Sequence, residues 1–356
     1  MNNKIQRYEK KVMKVLSEQG FIVGDKEREI INSRINNGRR YFFMVANRKE
    51  GDRVVERFIK IPENNTKKLL LPFERQIEMA LYLKSNNIIN TRGVINFNVI
   101  PRQGIPYAIM ETFPFNKDKI GFIENNNGVE FLTAVEAQKT IDQLFHFHQI
   151  NVASLPEPLN SKLKKNKGDF KSFKREIIKF LNKKVKPLGY PESEYFHKVL
   201  EKRLGITNIK SKLIKIIDSF RSYIETEENN IVTLIHGDMA PNNLYIFDSG
   251  DVEFLDLEWV GIVPNRAIAM IFDFGNLRAR SWKNKSFRFE LDKALLNNYM
   301  KIGKEELGKI IIKLSIIRSH TRLSSYFENY DWAKQEKPDE VERRNQTEQD
   351  LKMVLE

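Results

Sequence analysis

The feature that most constrains the fold of this chain is a change in its hydrophobic pattern near Thr112. Before that point, segments rich in aromatic and β-branched residues predict two hairpins with a helix between them; after it, helical spacing dominates. The predicted strands are 40–46, 53–61, 94–100 and 107–111, and the predicted helices are 5–16, 73–84, 129–149, 169–182, 209–225 and one from 267. This order predicts an α+β fold with a small β-rich N-terminal lobe, residues 1–112, and a larger, mainly helical C-terminal lobe, residues 113–356.

The composition is that of a globular chain, with 41% apolar and 11% aromatic residues among 356. The sequence contains no cysteine, which excludes disulfides, cysteine zinc sites and a cysteine nucleophile. The residues after Met1 lack the apolar core of a signal peptide, and no later stretch has the ~18 apolar residues of a membrane span. A cytoplasmic location is therefore predicted.

One compact β island interrupts the helical region, with strands predicted at 231–235, 244–247 and 252–255. Asp238 and Asn243 follow the first of these strands, and Asp256 follows the last. The Asp and Asn, five residues apart, resemble the kinase catalytic loop H-x-D-x-x-x-x-N. Phosphoryl transfer needs one carboxylate to orient or deprotonate a hydroxyl, and oxygen ligands to hold Mg²⁺ on the phosphates. We therefore expect Asp238 to be catalytic, and Asn243 and Asp256 to be metal ligands.

Three short motifs make this resemblance more specific: His236-Gly237-Asp238, Asp256-Leu257-Glu258-Trp259 and Phe272-Asp273-Phe274-Gly275-Asn276. Together they resemble the aminoglycoside phosphotransferase and choline kinase superfamily, whose members share the protein-kinase fold. The resemblance implies a two-lobed protein-kinase-like fold, with ATP and Mg²⁺ as cofactors. It also implies an enzyme that phosphorylates a hydroxyl of a small molecule such as an amino alcohol, an amino sugar or an aminoglycoside.

The N-terminal region contains segments similar to the nucleotide-binding part of kinases. Lys60 lies in a strand similar to the V-A-I-K strand, whose lysine contacts the α- and β-phosphates. Either Glu74 or Glu78 could pair with Lys60, because both lie on one face of the predicted helix, and we prefer Glu78. The backbone groups of Glu111 and Phe113 are expected to meet adenine at a hinge similar to the one between kinase lobes.

Several other residues receive supporting or structural roles. Residues 36–38 (Asn-Asn-Gly) form the best candidate for a turn covering the phosphates. Asp273 is predicted to cap the N-terminus of a helix rather than to bind metal. His236 is expected to fix the catalytic loop by hydrogen bonding to backbone, and His146 and His148, two residues apart on a helix, face different ways and imply no zinc.

Glu258 and Trp259 suggest a substrate site for a cation, because a carboxylate and an aromatic face both attract amines. The alternative is that they simply pack beside the strand that ends at Asp256.

The basic character of the chain is concentrated in one window. Sixty Lys and Arg residues against 47 Asp and Glu give a net charge of +13. Between Lys162 and Lys186, eleven basic residues face only Asp169 and Glu176, which leaves 11 − 2 = +9 in that window. This window suggests an alternative function, a catalytically weak kinase-like binding module for nucleic acid or an anionic membrane surface. The other interpretation is an ordinary amphipathic helix whose lysines face solvent.

Overall fold

The computed structural model describes residues 3–22, 41–62, 66–88, 94–100, 105–111, 132–166, 168–185, 192–247, 251–321 and 338–356. These residues form a mixed α+β fold that divides into two compact units. The first unit comprises Met1–Gly121, Leu155–Leu163 and Glu253–Trp259, and the second comprises Phe122–Ser154, Lys164–Val252 and Val260–Glu356. The division predicted at residue 112 is sequential, whereas these units are discontinuous along the chain.

The first unit contains helices α1 (Asn3–Glu18), α2 (Lys67–Ser85) and α4 (Glu157–Lys162). Its strands are β1 (Tyr41–Glu50), β2 (Arg53–Pro62), β3 (Val94–Ile100) and β4 (Ile105–Glu111), which form a four-stranded sheet in the order β1-β2-β4-β3 with antiparallel neighbours. A 3₁₀ turn, Leu257–Trp259, also belongs to this unit.

The hairpin between β1 and β2 confirms the predicted strand pair, but its turn is shorter than the predicted six residues. Glu50 pairs with Arg53, so only Gly51 and Asp52 form the turn, and Gly51 has the left-handed φ of 59° that favours glycine. Arg57 extends the ladder by donating to both carboxylate oxygens of Glu50, at 3.0 and 2.7 Å. The strands therefore extend into the polar residues of the predicted turn, because charged side chains such as Arg57 and Glu50 pair across the two strands.

The core of the first unit lies between α1 and the sheet. Apolar side chains of α1 pack against inward-facing side chains of β2 and β4; the buried cluster consists of Val12, Val15, Leu16, Phe21, Ala46, Ile59, Ile61, Tyr107 and Ile109. The predicted helical spacing of α1 supplies its buried face. The same sheet carries Lys60, which occupies β2 between two core isoleucines.

The second unit contains most of the described helices and the β island. Its elements are α3 (Ala134–Gln149), β5 (Lys164–Lys165), α5 (Phe170–Leu181), β6 (Lys184–Val185), β7 (Glu194–Tyr195), α6 (Phe196–Leu204), α7 (Ile209–Ser219), α8 (Arg221–Ile224), β8 (Thr233–Ile235), β9 (Leu244–Ile246), β10 (Val252–Phe254), β11 (Gly261–Val263), α9 (Arg266–Arg280), α10 (Lys285–Lys301), α11 (Glu305–Thr321) and α12 (Pro338–Leu355). Of β10, only Val252 belongs to the second unit; Glu253 and Phe254 belong to the first.

Strand β8 is an edge strand of a small sheet with the order β5-β11-β8, in which β11 is central. Helix α9 packs against it through a buried cluster of Ile235, Val263 and Ala269, with the partly buried Phe272 at its edge. Strand β8 ends at Ile235, within this cluster, and the loop that follows it begins at His236.

One prediction in this region is wrong: Asp273 does not cap a helix. Helix α9 begins seven residues earlier, at Arg266, and its N-cap is Asn265, whose side chain accepts a hydrogen bond from the Ile268 N–H at 3.0 Å. The apolar run that precedes Asp273 continues the helix instead of leading into it, so Asp273 is an interior helical residue and is fully buried.

In the segments that the structure describes, no helix is both long enough and apolar enough to cross a bilayer.

Candidate active site

Lys60 is the centre of a charged cluster in the first unit. Its side chain is 8% exposed, and its Nζ lies 3.4 Å from Asp256 Oδ1 and 3.7 Å from Glu258 Oε2. The same Nζ donates to Gln76 Oε1 at 2.5 Å and lies 4.5 Å from the centre of the Tyr41 ring. A buried ammonium requires such partners, and here two carboxylates, an amide and an aromatic face supply them.

The predicted pairing of Lys60 with Glu78 is wrong, and so is the alternative with Glu74. Both glutamates contact Lys162 of α4 instead, Glu78 at 2.5 Å and Glu74 at 3.2 Å. The two glutamates do share a face of α2, as expected, but that face meets α4. Gln76 lies between them in sequence and on a different face of the helix, which is the face that meets Lys60.

Asp256 reaches Lys60 from an unusual backbone conformation. Its φ of 53° lies in the left-handed region, which Asp and Asn tolerate better than most other residues. The turn allows Leu257 to enter the buried core while Asp256 and Glu258 keep their carboxylates near Lys60.

Arg75 of α2 holds this turn in place and was not identified from the sequence. Its guanidinium donates to the Glu258 carbonyl oxygen at 2.8 Å and to the Lys162 carbonyl oxygen at 2.6 Å. Only 6% of Arg75 is exposed. Since both acceptors are backbone groups far away in sequence, no local pattern in α2 indicates this role.

The carboxylates of this cluster suit a hard cation. Glu258 Oε2 is buried and has no hydrogen-bond partner among the described residues, and Asp256 adds a second carboxylate, 37% exposed. Burial raises the pKa of Glu258, the positive charge of Lys60 opposes that shift, and the negative charge of Asp256 adds to it. In the described ranges no group of three His, Cys, Asp or Glu side chains is arranged to hold a metal. Mg²⁺ on a nucleotide typically uses one or two protein carboxylates together with phosphate oxygens and water, and Asp256 and Glu258 fit that requirement.

The second unit contains the predicted catalytic loop. Asp238 is partly exposed, and Asn243 closes the loop by donating from Nδ2 to the Asp238 carbonyl oxygen at 2.6 Å. The same Nδ2 lies 3.5 Å from Asp238 Oδ2. Residues Pro241–Asn243 form a 3₁₀ turn that brings the amide back toward the carboxylate, so the five-residue spacing does place the two side chains together.

Asp273 anchors the start of this loop. Its Oδ2 accepts from the His236 backbone N–H at 2.7 Å, and its Oδ1 accepts from the Gly237 backbone N–H at 3.0 Å. The φ of 81° at Gly237 belongs to the left-handed region that favours glycine. Asp273 Oδ2 also lies 3.0 Å from His148 Nε2, and both side chains are buried. Asp273 therefore positions the backbone immediately before Asp238, a role that its place inside a helix conceals.

His236 lies where its predicted structural role requires. Its side chain is fully buried, and its Nδ1 lies 3.4 Å from the Asp238 backbone nitrogen. His146 is exposed and His148 is buried, as expected for two helical residues on different faces.

Arg280, the last residue of α9, was also missed by the sequence analysis. Its Nη2 lies 2.9 Å from Asp238 Oδ1. Asp273 and Arg280 are seven residues apart, about two helical turns, so one face of α9 supports the loop backbone and contacts the loop carboxylate.

The remaining predicted site residues are less informative. Glu111 ends β4 and pairs with Lys84 at 3.4 Å, while Phe113 and residues 36–38 lie outside the described residues. Trp259 is 39% exposed. Glu258 beside it contacts Lys60, so the carboxylate of the predicted cation site already has a cationic neighbour within the protein.

The basic window contains several ion pairs. Lys162 pairs with Glu74 and Glu78, and Lys174 pairs with Asp218 at 2.6 Å. Phe170, Phe173, Ile177 and Leu181 form the buried face of α5, so its lysines lie on the opposite side. Helix α5 is therefore an amphipathic helix whose lysines face solvent, the second of the two interpretations of the basic window. It gives no support for a nucleic acid or membrane partner.

Comparison with solved structures returns aminoglycoside phosphotransferases and choline or ethanolamine kinases. A spectinomycin phosphotransferase in complex with ADP and spectinomycin is 11% identical, with a TM-score of 0.46, over 88% of this chain and 92% of the other. An ethanolamine kinase from Plasmodium vivax is 15% identical, with a TM-score of 0.46, over 95% and 94%. A choline/ethanolamine kinase family protein from Mesorhizobium loti is 14% identical, with a TM-score of 0.39, over 86% and 90%.

No family model matches the sequence. No curated protein matches it either.

Proposed function

We propose that this protein is a phosphotransferase that uses ATP and Mg²⁺ to phosphorylate a hydroxyl group of a small molecule. The observation that carries the proposal is the 3.4 Å ion pair between Lys60 and Asp256, which are 196 residues apart. Each was selected from the sequence for a different part of the same chemistry, Lys60 for the phosphates and Asp256 for the metal.

In the first unit, the Lys60 cluster is suited to a nucleotide with its metal ion. The ammonium of Lys60 would contact phosphate oxygens, and Asp256 with Glu258 would hold Mg²⁺. The ion, when bound, neutralises charge on the β- and γ-phosphates. Arg75 keeps the backbone of the Asp256 turn in place through its bond to the Glu258 carbonyl.

In the second unit, Asp238 is suited to an acceptor hydroxyl. The hydroxyl oxygen would form a bond to the γ-phosphorus, and the bond from that phosphorus to the oxygen bridging to ADP would break. Asp238 would orient the hydroxyl and take up its proton. Asn243, five residues after Asp238, would offer a neutral amide oxygen to a metal ion, the role predicted from its spacing.

A panel of nucleotides and acceptors tests the proposal. Thermal stability is measured with ATP, ADP, GTP and AMP, with and without Mg²⁺, because a ligand that binds the folded state raises the melting temperature. Transfer of phosphate from γ-³²P-ATP is then measured with amino alcohols, amino sugars, aminoglycosides, neutral polyols and hydroxy acids. Nucleotide binding without transfer to any acceptor class would refute the phosphotransferase function.

A further inference from the structure

The least expected feature of the candidate acceptor side is the arginine on the catalytic carboxylate. Arg280 Nη2 lies 2.9 Å from Asp238 Oδ1, and the two side chains are 41% and 30% exposed. A partly exposed ion pair of this kind adds little to the stability of the fold. Its interest is therefore its position beside the predicted catalytic carboxylate.

The described residues leave part of the Arg280 guanidinium for another anion. Arginine has five N–H donors in a planar fork. Among the described residues, the Arg280 side chain forms one ion pair, through Nη2 to Asp238. Arg278, two residues earlier, is buried and binds Asp292 and Asp350, so it belongs to a separate network.

The two oxygens of Asp238 differ in a way that suits this arrangement. Oδ1 lies 2.9 Å from Arg280 Nη2, whereas the contact of Oδ2 among the described residues is the 3.5 Å approach of Asn243 Nδ2. Oδ2 is therefore the oxygen that an incoming hydroxyl can reach. A group bound by the free edge of the guanidinium would lie a few ångströms from that hydroxyl.

We infer that the acceptor carries an anionic group, such as a carboxylate or a phosphate, on the carbon next to its reactive hydroxyl or one carbon further away, and that Arg280 binds this group. The inference rests on the proposed phosphotransferase function and specifies its substrate class. A guanidinium can bridge two carboxylates, and it binds carboxylate and phosphate in a fork geometry. An ammonium at the same position would meet the like charge of Arg280, which disfavours choline-like acceptors.

Three probes with one carbon skeleton separate charge from shape: glycerate is anionic, glycerol is neutral and serinol (2-aminopropane-1,3-diol) is cationic. We expect glycerate to have the highest kcat/KM with ATP and Mg²⁺, at least about tenfold above glycerol, and serinol the lowest. In R280Q the preference for glycerate over glycerol should fall to within about twofold. R280K should lie between the two, because it keeps the charge and loses the fork.

K283Q is the matched control, since it removes one positive charge three residues away, from a side chain that lies over the Trp282 ring at 5.4 Å. K283Q should keep the wild-type preference. A preference for serinol, or a glycerate preference that survives in R280Q, would overturn the inference.

Calorimetric binding of glycerate in the presence of ADP and Mg²⁺ separates this inference from the proposed function. Binding that R280Q abolishes, without phosphate transfer to any probe, would uphold the anion site and contradict the phosphotransferase function. Transfer to the probes without a charge preference would uphold that function and overturn the inference. Absence of glycerate binding to the wild-type protein at millimolar concentration would also overturn it.

Discussion

Asp238 is the residue on which the proposed chemistry depends most directly. We expect Asp238→Asn to lower turnover on the order of 10²-fold or more, the scale of lost acid–base catalysis. ATP affinity and the melting temperature should change little, because the amide can keep the contact with Arg280 and the nucleotide is proposed to bind the Lys60 cluster. Steady-state kinetics together with nucleotide titration measure both quantities. Unchanged turnover would remove Asp238 from the mechanism.

Asp256 is expected to act through the metal rather than through proton transfer. Asp256→Ala should raise the Mg²⁺ concentration needed for half-maximal activity by about tenfold or more, because a charged oxygen ligand is lost. Asp251→Ala is a suitable control, since Asp251 is a partly exposed aspartate that pairs with Lys139 at 2.8 Å. Equal Mg²⁺ profiles for the two variants would show that the metal is held elsewhere.

Glu258 separates two interpretations of the Asp-x-Glu-Trp motif. If it faced an amine-bearing substrate, Glu258→Gln would raise the KM of that substrate about fivefold at low salt, and the effect would fade as salt is added. Because the buried Glu258 Oε2 lies 3.7 Å from Lys60 Nζ and accepts no hydrogen bond among the described residues, we expect instead a change in the KM for ATP and in the Mg²⁺ dependence. The KM of the acceptor should stay within about twofold. A salt-sensitive acceptor effect alone would restore the cation site.

At the scale of the element, helix α9 supports the predicted catalytic loop through Asp273, an interior residue of the helix. Asp273→Asn replaces one of two carboxylate oxygens that accept backbone N–H groups, in a fully buried position. We expect a loss of about 1–3 kcal/mol in the free energy of unfolding, the usual cost of leaving a buried polar group unsatisfied. Turnover should fall as well, with little change in the KM for ATP.

The control for α9 is an aspartate of the same unit that makes a surface ion pair. Asp218 contacts Lys174 and is 46% exposed. Asp218→Asn should change the unfolding free energy by no more than about 0.5 kcal/mol in urea titrations. If Asp273→Asn were equally mild in both stability and turnover, the loop would not depend on this anchor.

At the scale of the whole molecule, a buried histidine is expected to make stability depend on pH. His320 of α11 is fully buried, its ring stacks on Phe196 of α6, and burial lowers its pKa from 6.5 to about 4. The nearby carboxylates of Glu348 and Asp350 oppose this shift, and Arg203 adds to it. Between pH 6.5 and pH 4 the unfolded chain binds a proton that the folded chain does not, so stability falls as pH falls through this window.

The expected size of this effect follows from the two pKa values. Between pH 7.5 and pH 5.0, His320 should contribute a loss of about 2 kcal/mol in the free energy of unfolding. His320→Gln should remove that part of the pH dependence, even if it lowers stability at both values. His146→Gln, at an exposed position, should leave the dependence as it is in the wild type. Urea titrations of the three proteins at both pH values measure this dependence. An equal difference in unfolding free energy between the two pH values for wild type and His320→Gln would contradict the prediction.

Local pattern in the sequence was sufficient to locate most of the described elements. The hairpin β1-β2, helix α2, strand β3 and the three strands of the β island were predicted with boundary errors of up to six residues, because hydrophobic period and turn residues report on local backbone geometry. The Asp238–Asn243 contact was also predictable, since both residues lie in one short loop. Helix α9 was predicted to begin at the correct place, yet Asp273 was misassigned because its partners are distant backbone groups.

The sequence by itself determined which residue types the proposed chemistry could use and in what order they follow along the chain: a lysine strand, an acidic helix, a loop with Asp and Asn, and a strand ending in Asp. The tertiary structure alone decided their partners. It turned Gln76, rather than Glu78, toward Lys60, and it placed Arg280 on Asp238. The physical reason is that helical and strand periods specify a face, whereas the neighbour that a face meets depends on how distant segments pack.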